Sequence, residues 1–432
     1  LNIRPNHNVF FFVSLFVFAA VSAVAQPNVL LLSVDTLRAD FLGCYGCEWN
    51  TSPHIDALAK QALLFENACC EMPLTAPSFT AMLSSRYPRM TGVIRNGMRV
   101  DDKVPLITET FKKAGYYTFA VQSNWTLRAR LSGLNRGFDF YEDRLEQRRW
   151  GIFNGEREAE EVTRIALEAL ENRPKDKAFF AWIHYSDPHA PYHFHSTFNP
   201  GERRLRQVDR KTQTRIKYAS EVAYTDHHIG VLLAALPKDT RILFVADHGE
   251  NLHEHGYLGH GRHLYQEGLH VPFMICSEQV QPGRCSLAVT TMDVGPTLLG
   301  LAGLHPLDYA LGMNLIEAQP PADRPRFMET YGGAVPKLPG AKKILSQTSA
   351  IFQAVIRDNW KLIHPQQGPM LLYFLPDDPQ ERSNLYAKKR DVASELKELL
   401  ERWDTHHPKG NATEVEFNTE DVEMMRSLGY LN

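Results

Sequence analysis

The run PNVLLLSVDT (27–36) is apolar without alternation and ends at Asp35. Such a run predicts a strand buried on both faces of a parallel sheet, with a polar residue at its carboxyl end. AFFAWIHYSDPHAPY (178–192) and DTRILFVADHGE (239–250) repeat the pattern. Between them lie helical periods. SPHIDALAKQALLFENA (52–68) reads as one amphipathic helix introduced by Ser52-Pro53. LITETFKKAGYYTFAVQSN (106–124) reads as a helix, a stop at Gly115 and a strand reaching Ser123 and Asn124, and YASEVAYTDHHIGVLLAAL (218–236) is helical. Strands alternating with helices over the first three quarters of the chain predict an α/β sandwich with a mostly parallel central sheet. From about residue 326 the texture changes. AIFQAVIRDNWKLIH and MLLYFLPDDPQERSNLY read as a hairpin or meander, with DVASELKELLERW as a helix packed on it. The predicted division is a catalytic domain at 26–325 and a smaller antiparallel-sheet subdomain at 326–432.

Ligand sites in such sheets lie beyond the strand carboxyl ends. Asp35, Asn124, His184, Asp187, His189, Asp247 and His248 all fall there, a recurrence that marks an active site whatever the family. Asp35, Asp247 and His248 are hard or borderline ligands for a divalent cation, and two carboxylates with an imidazole are costly to bury together without one.

Composition narrows the function classes. With 44% hydrophobic residues and a formal net charge of −3, the 432-residue chain can build a large core and has no bias towards nucleic acid. Arg4, the apolar run Val9–Val21 and the small residues Ala23 and Ala25 read as a signal peptide over 1–25. The expected location is therefore exported, periplasmic or extracellular, with no integral membrane association. The six cysteines fall in three local clusters, Cys44/Cys47, Cys69/Cys70 and Cys276/Cys285, expected to be buried thiols or structural bridges. A basic stretch at 200–215 either steers an anionic polymer or is a solvated helix end.

EMPLTAPSFTAMLSSRYP (71–88) carries the main ambiguity. Thr75 precedes a helix that Pro77 opens. It is either an N-cap contributing about 1 kcal/mol or a hydroxyl nucleophile activated at a helix N-terminus.

These segments together resemble the sulfatase family of the alkaline phosphatase superfamily. The resemblance rests on NVLLLSVDTLRADFLGCYG, TSPHIDALAKQALLFENA, APSFTAMLSSRYPRMTGV, HYSDPHAPY, ADHGENLHEHG, GHGRHLYQEGLHVPF, TTMDVGPTLLGLAG and NWKLI, in this order. It implies an alkaline-phosphatase-like sandwich and a metal-dependent hydrolase of sulfuric or phosphoric esters. It also exposes departures. The family's Cys (or Ser)-x-Pro-x-Arg, whose first residue matures to formylglycine, aligns with Thr75 and with Phe79 in the arginine place, so formylglycine is not expected. Thr36 stands where a second Asp follows the first. Ser123 or Asn124 stands in one lysine position and His260 in another. His189 takes the place of the family's substrate-facing histidine.

The implied site is a metal set of Asp35, Thr75, Asp247 and His248, with Thr75, His189 and His260 catalytic and Asn124, His189 and His260 facing substrate. The cation would be calcium, manganese or zinc. The chemistry of His260 also allows a second metal, shared with Asp187 or His189. The expected substrate is a small-molecule or glycan ester. The competing expectation is a catalytically inactive anion- or glycan-binding relative. A phosphotransferase would ordinarily bring several membrane helices. Glu250 is expected to support the metal loop, Arg86 to tether the helix after Thr75, and His253, His255 and His263 to lie at the surface or behind the site.

Overall fold

The computed structural model describes residues 26–145, 156–200, 205, 208–332, 349–413, 415–419 and 421–422. The apolar run Val9–Val21 and the cleavage expected after Ala25 lie outside these residues, as does part of the basic stretch 200–215. Eight strands form the main sheet: β1 (Val29–Val34), β2 (Leu63–Cys69), β3 (Tyr117–Val121), β4 (Phe140–Glu142), β5 (Phe179–Tyr185), β6 (Arg241–Ala246), β9 (Phe273–Cys276) and β10 (Gly283–Thr290). A two-stranded ribbon, β7 (Asn251–Leu252) with β8 (Leu258–Gly259), stands beside it. The main sheet has the order β10-β2-β9-β6-β1-β5-β3-β4. Only β9 pairs antiparallel with its neighbours, so the sheet is mostly parallel as the uninterrupted apolar runs require.

Register brings the chemistry together. β1 lies between β5 and β6, and Val34 pairs with Tyr185 on one side and Ala246 on the other. The next residue on each strand is therefore Asp35, Ser186 or Asp247, side by side at one edge of the sheet. Every residue of β1 is buried, which is why its pattern shows no alternation.

Three local expectations are corrected. The segment 52–68 is not one helix: a short helix covers Pro53–Ala59, and Leu63–Cys69 is strand β2, held between β10 and β9. Pairing on both edges overrides a helical period in a stretch too short to decide by pattern. β3 stops at Val121 rather than at Asn124, and Asn124 instead caps a short 3-10 turn at Trp125–Leu127 by accepting the Thr126 N–H at 2.9 Å. The helix after Met72 runs Thr75–Ser84, with Leu74 at the cap position, so neither Pro77 nor a Thr75 cap begins it.

A second, antiparallel sheet joins β11 (Arg326–Thr330), β12 (Phe352–Arg357), β13 (Trp360–Pro365) and β14 (Leu371–Phe374). Its alternation is two-sided. Phe327, Val355, Leu362 and Leu372 pack on Ala393, Leu396, Leu400 and Trp403, the apolar stripe of the helix Arg390–His406. Met328, Ala354, Ile356 and Ile363 face Cys69, Cys70, Leu264 and Leu269 of the larger unit. A fully buried ion pair, Lys361 Nζ to Glu381 Oε1 at 2.7 Å, adds a polar tie, because Glu381 Oε2 also accepts the Gln266 N–H at 2.6 Å. The small sheet thus braces the loop that follows His260. All six cysteines are unpaired thiols. Among the described residues no helix is long and apolar enough to cross a membrane.

Candidate active site

Asp35 and Asp247 begin where β1 and β6 end, and His248 follows at once. Each has one polar atom satisfied and one left bare. Asp35 Oδ2 accepts the Asn124 amide at 2.5 Å, while Oδ1 has no hydrogen-bond partner. Asp247 Oδ1 accepts two backbone N–H groups, from Thr36 at 3.1 Å and His248 at 2.9 Å, leaving Oδ2 bare. His248 Nδ1 lies 2.9 Å from the Gly249 carbonyl, which can only accept. Nδ1 therefore carries the proton, and Nε2, also without a partner, presents its lone pair. Nε2 lies 3.4 Å from Asp247 Oδ2 and 3.7 Å from Asp35 Oδ1. Among the described residues these three form the single cluster of His, Cys, Asp or Glu with ligand atoms within 4.8 Å of one another.

Three bare, converging, wholly buried ligand atoms fit a divalent cation. The electrostatics agree. Burial and the charge of Asp35 push Asp247 well above the ordinary carboxylate range. Burial also acts to raise Asp35, but the neighbouring His184 ring, its Nε2 3.7 Å away, and the positive charge of His189 outweigh it and hold Asp35 low. His248 is pushed down to about 3 by burial and then by His260, so its ring is neutral and ready to ligate. Without a cation the two carboxylates cannot both ionise cheaply.

The local backbone is built for this. Thr36 has φ +55°, uncommon for a β-branched residue. That turn aims its N–H at Asp247, and the Tyr218 hydroxyl donates to its carbonyl at 2.6 Å. Gly249 is needed for close approach: a Cβ there would meet the Glu267 carbonyl oxygen at 2.1 Å.

Thr75 is fully buried at the first position of its helix, and its hydroxyl has no hydrogen-bond partner. Ser78, one turn on, donates to the Asp247 carbonyl at 2.7 Å and so ties this helix to the end of β6. Asn96 Oδ1 accepts the Ala76 N–H at 2.9 Å, fixing the helix start. Phe79, in the arginine position, is wholly buried against Trp182 and His184.

Two further histidines border the cluster. His260 lies 4.6 Å from His248 and His189 lies 5.1 Å from His260, ring centre to ring centre. Each is backed by a carboxylate at Nδ1, His260 by Glu250 at 3.2 Å and His189 by Glu156 at 2.6 Å. Both Nε2 atoms are buried without a partner. Burial opposes charging His189, but the adjacent Glu156 prevails and lifts it to about 10.

Asp35, Thr75, Asp247, His248, His189, His260 and Asn124 are all buried. The contacts of Asn124 serve Asp35 and Thr126. Asp187 Oδ1 accepts the Ala159 N–H at 3.1 Å, at the start of the helix Ala159–Asn172. Glu250 holds His260, and Arg86 packs over the Tyr309 ring at 4.1 Å. Glu156 and Ser33 escaped the sequence reading. Ser33, within the apolar run of β1, lies 3.0 Å from His184 Nδ1 and accepts from Trp182 Nε1. Neither carries a sequence signal of its own.

An α/β sandwich with this ligand set at its strand ends is the architecture of the alkaline phosphatase superfamily. Residues 27–304 match the profile of the Sulfatase family. The chain belongs to the sulfatase family, whose members are hydrolases of ester bonds. It is 26% identical over 413 residues to an ulvan-active sulfatase of Formosa agariphila, covering 84% of this chain and 78% of that protein. It is 25% identical over 443 residues to a choline-sulfatase of Rhizobium meliloti, covering 84% and 83%. The crystal structure of the phosphonate monoester hydrolase of Agrobacterium radiobacter superposes with a TM-score of 0.71 at 20% identity, covering 88% of this chain and 96% of that one.

Proposed function

We propose that this protein is an exported hydrolase of sulfuric or phosphoric esters that uses Thr75 directly as its nucleophile, without formylglycine. The observations that carry the reading are the bare, buried Thr75 hydroxyl on a helix that Ser78 ties to the Asp247 carbonyl, and the converging bare atoms of Asp35, Asp247 and His248. Asp35, Asp247 and His248, with Thr75, would hold a calcium, manganese or zinc ion, which when bound supplies Lewis-acid stabilisation of negative charge. The Thr75 oxygen attacks sulfur or phosphorus in line as the bond to the leaving oxygen breaks. His260 Nε2 takes the threonine proton, and His189, ion-paired with Glu156, meets the anion and protonates the leaving oxygen. Water then cleaves the Thr75 ester, since there is no aldehyde hydrate to expel the group by elimination.

That second step favours phosphorus, because a threonyl sulfate resists hydrolysis more than a threonyl phosphate. The relatives support both outcomes: two are named for sulfate esters, one for a phosphonate ester. A glycan or small-molecule ester is the substrate class we assign. Residues 1–25 act as a removed leader, and the chain divides near residue 325.

The test is hydrolysis of matched 4-nitrophenyl sulfate, phosphate monoester, phosphodiester and phosphonate ester by the mature protein with each of the three metals. Thr75-dependent turnover of any of them supports the reading. Turnover that survives Thr75→Ala contradicts it. Anion binding with no turnover of these or of natural glycan esters would assign the chain to the inactive, binding relatives, the reading that Phe79 in the arginine position favours.

A further inference from the structure

We infer that Glu156 is a positioning residue for His189, fixing the ring so that its Nε2 faces the pocket shared by His260 and the metal ligands. The inference rests on the role given to His189 above, and nothing in the 156–159 segment marks it in sequence.

The geometry is direct. Glu156 Oε1 lies 2.6 Å from His189 Nδ1, and both side chains are about 5% exposed, at 5% and 6%. With Nδ1 engaged, the ring's other nitrogen is the one turned inward, buried and without a partner. Glu250 does the same for His260 across the pocket, so the two imidazoles are held by a matching pair of carboxylates 5.1 Å apart at their ring centres. A carboxylate behind an imidazole sets both its orientation and its tautomer.

A purely structural role for Glu156 explains less. Its segment is already secured by backbone contacts. Glu156 bridges Asn124, the Arg157 N–H donates to the Ser123 carbonyl at 2.8 Å, and the Ala159 N–H donates to Asp187 at 3.1 Å. The Arg157 guanidinium adds a bond to the Gln122 carbonyl at 2.7 Å. Holding the loop needs no buried charge, and a neutral residue would avoid the desolvation cost. The same contacts make the segment a rigid mount, tied at once to the end of β3 and to the loop that carries His189.

The experiment is a double-mutant cycle of Glu156→Gln with His189→Gln, read in two ways. The first is kcat and KM on whichever 4-nitrophenyl ester the wild type hydrolyses. The second is calorimetric binding of inorganic phosphate and sulfate, which needs no turnover. Glu156→Gln is expected to reduce kcat/KM about 10- to 100-fold, with melting temperature little changed. In the His189→Gln background it should add less than about a twofold loss in either readout. An equal loss in both backgrounds, or none in the presence of His189, overturns the inference. Should Glu156→Gln fail to fold, Glu156→Asp runs the same cycle. A wild type that binds anion but turns over nothing sinks the hydrolase reading and leaves the binding cycle to decide Glu156. A wild type that does neither overturns both.

Discussion

The Phe79 ring meets the His184 ring edge-on with centroids 4.8 Å apart, and His184 Nε2 lies 3.7 Å from Asp35 Oδ2. The residue that the sequence resemblance aligns with the signature's arginine is thus an apolar wedge behind the Asp35 carboxylate. The exchange is structural as well as chemical, since Phe79 also packs on Trp182 with ring centroids 4.7 Å apart.

Phe79→Ala should therefore destabilise the fold by about 3–5 kcal/mol. Phe79→Arg should cost at least as much, because it buries a guanidinium against the Trp182 and His184 rings at a site that is wholly enclosed. Urea unfolding measures both. A neutral Phe79→Arg would show that the arginine site is still open.

The cation fit gives a second expectation. In chelator, the buried carboxylates of Asp35 and Asp247 oppose each other, so Asp247→Asn should melt at or above the wild-type temperature. In wild type a binding metal at a hundred times its dissociation constant adds about 2.7 kcal/mol. Asp247→Asn should lose that gain. Thermal melts with and without calcium, manganese and zinc decide it, and a variant that melts lower in chelator yet keeps the full metal response contradicts the ligand assignment.

Away from the site, His228 predicts part of the acid response. Burial, then the neighbouring His227 and His195, lower it from 6.5 to about 4. The unfolded chain thus binds this proton more readily, and the stability His228 contributes is complete above pH 6.5 and lost as pH falls towards 4. His228→Gln should flatten the fall in melting temperature across that window. An unchanged slope would assign the acid sensitivity to other groups.

Much of this was legible because the strongest signals are one-dimensional. β1, β5 and β6 are continuous apolar runs ending in polar residues, and parallel register alone then puts Asp35 beside Asp247. β2 was hidden because ALLFENA continues a helical period, and only pairing with β9 and β10 makes it a strand. Glu156 was hidden for another reason. Its partner His189 is distant in sequence, and a glutamate among the acidic residues of EREAEEV (156–162) looks like any solvated helix start. The bare state of the Thr75 hydroxyl was likewise out of reach, since it depends on the helix beginning one residue after Leu74 rather than at Pro77.

The central claim is that Thr75 itself carries the transferred group. The most direct measurement is acid quenching of the metal-loaded enzyme during turnover, followed by mass spectrometry of the peptide containing residues 71–86. The account predicts a sulfuryl or phosphoryl group on Thr75, absent from Thr75→Ala, a variant that folds normally because the hydroxyl it removes makes no hydrogen bond. Sustained turnover by Thr75→Ala, with no modified Thr75 in the wild type, would contradict it.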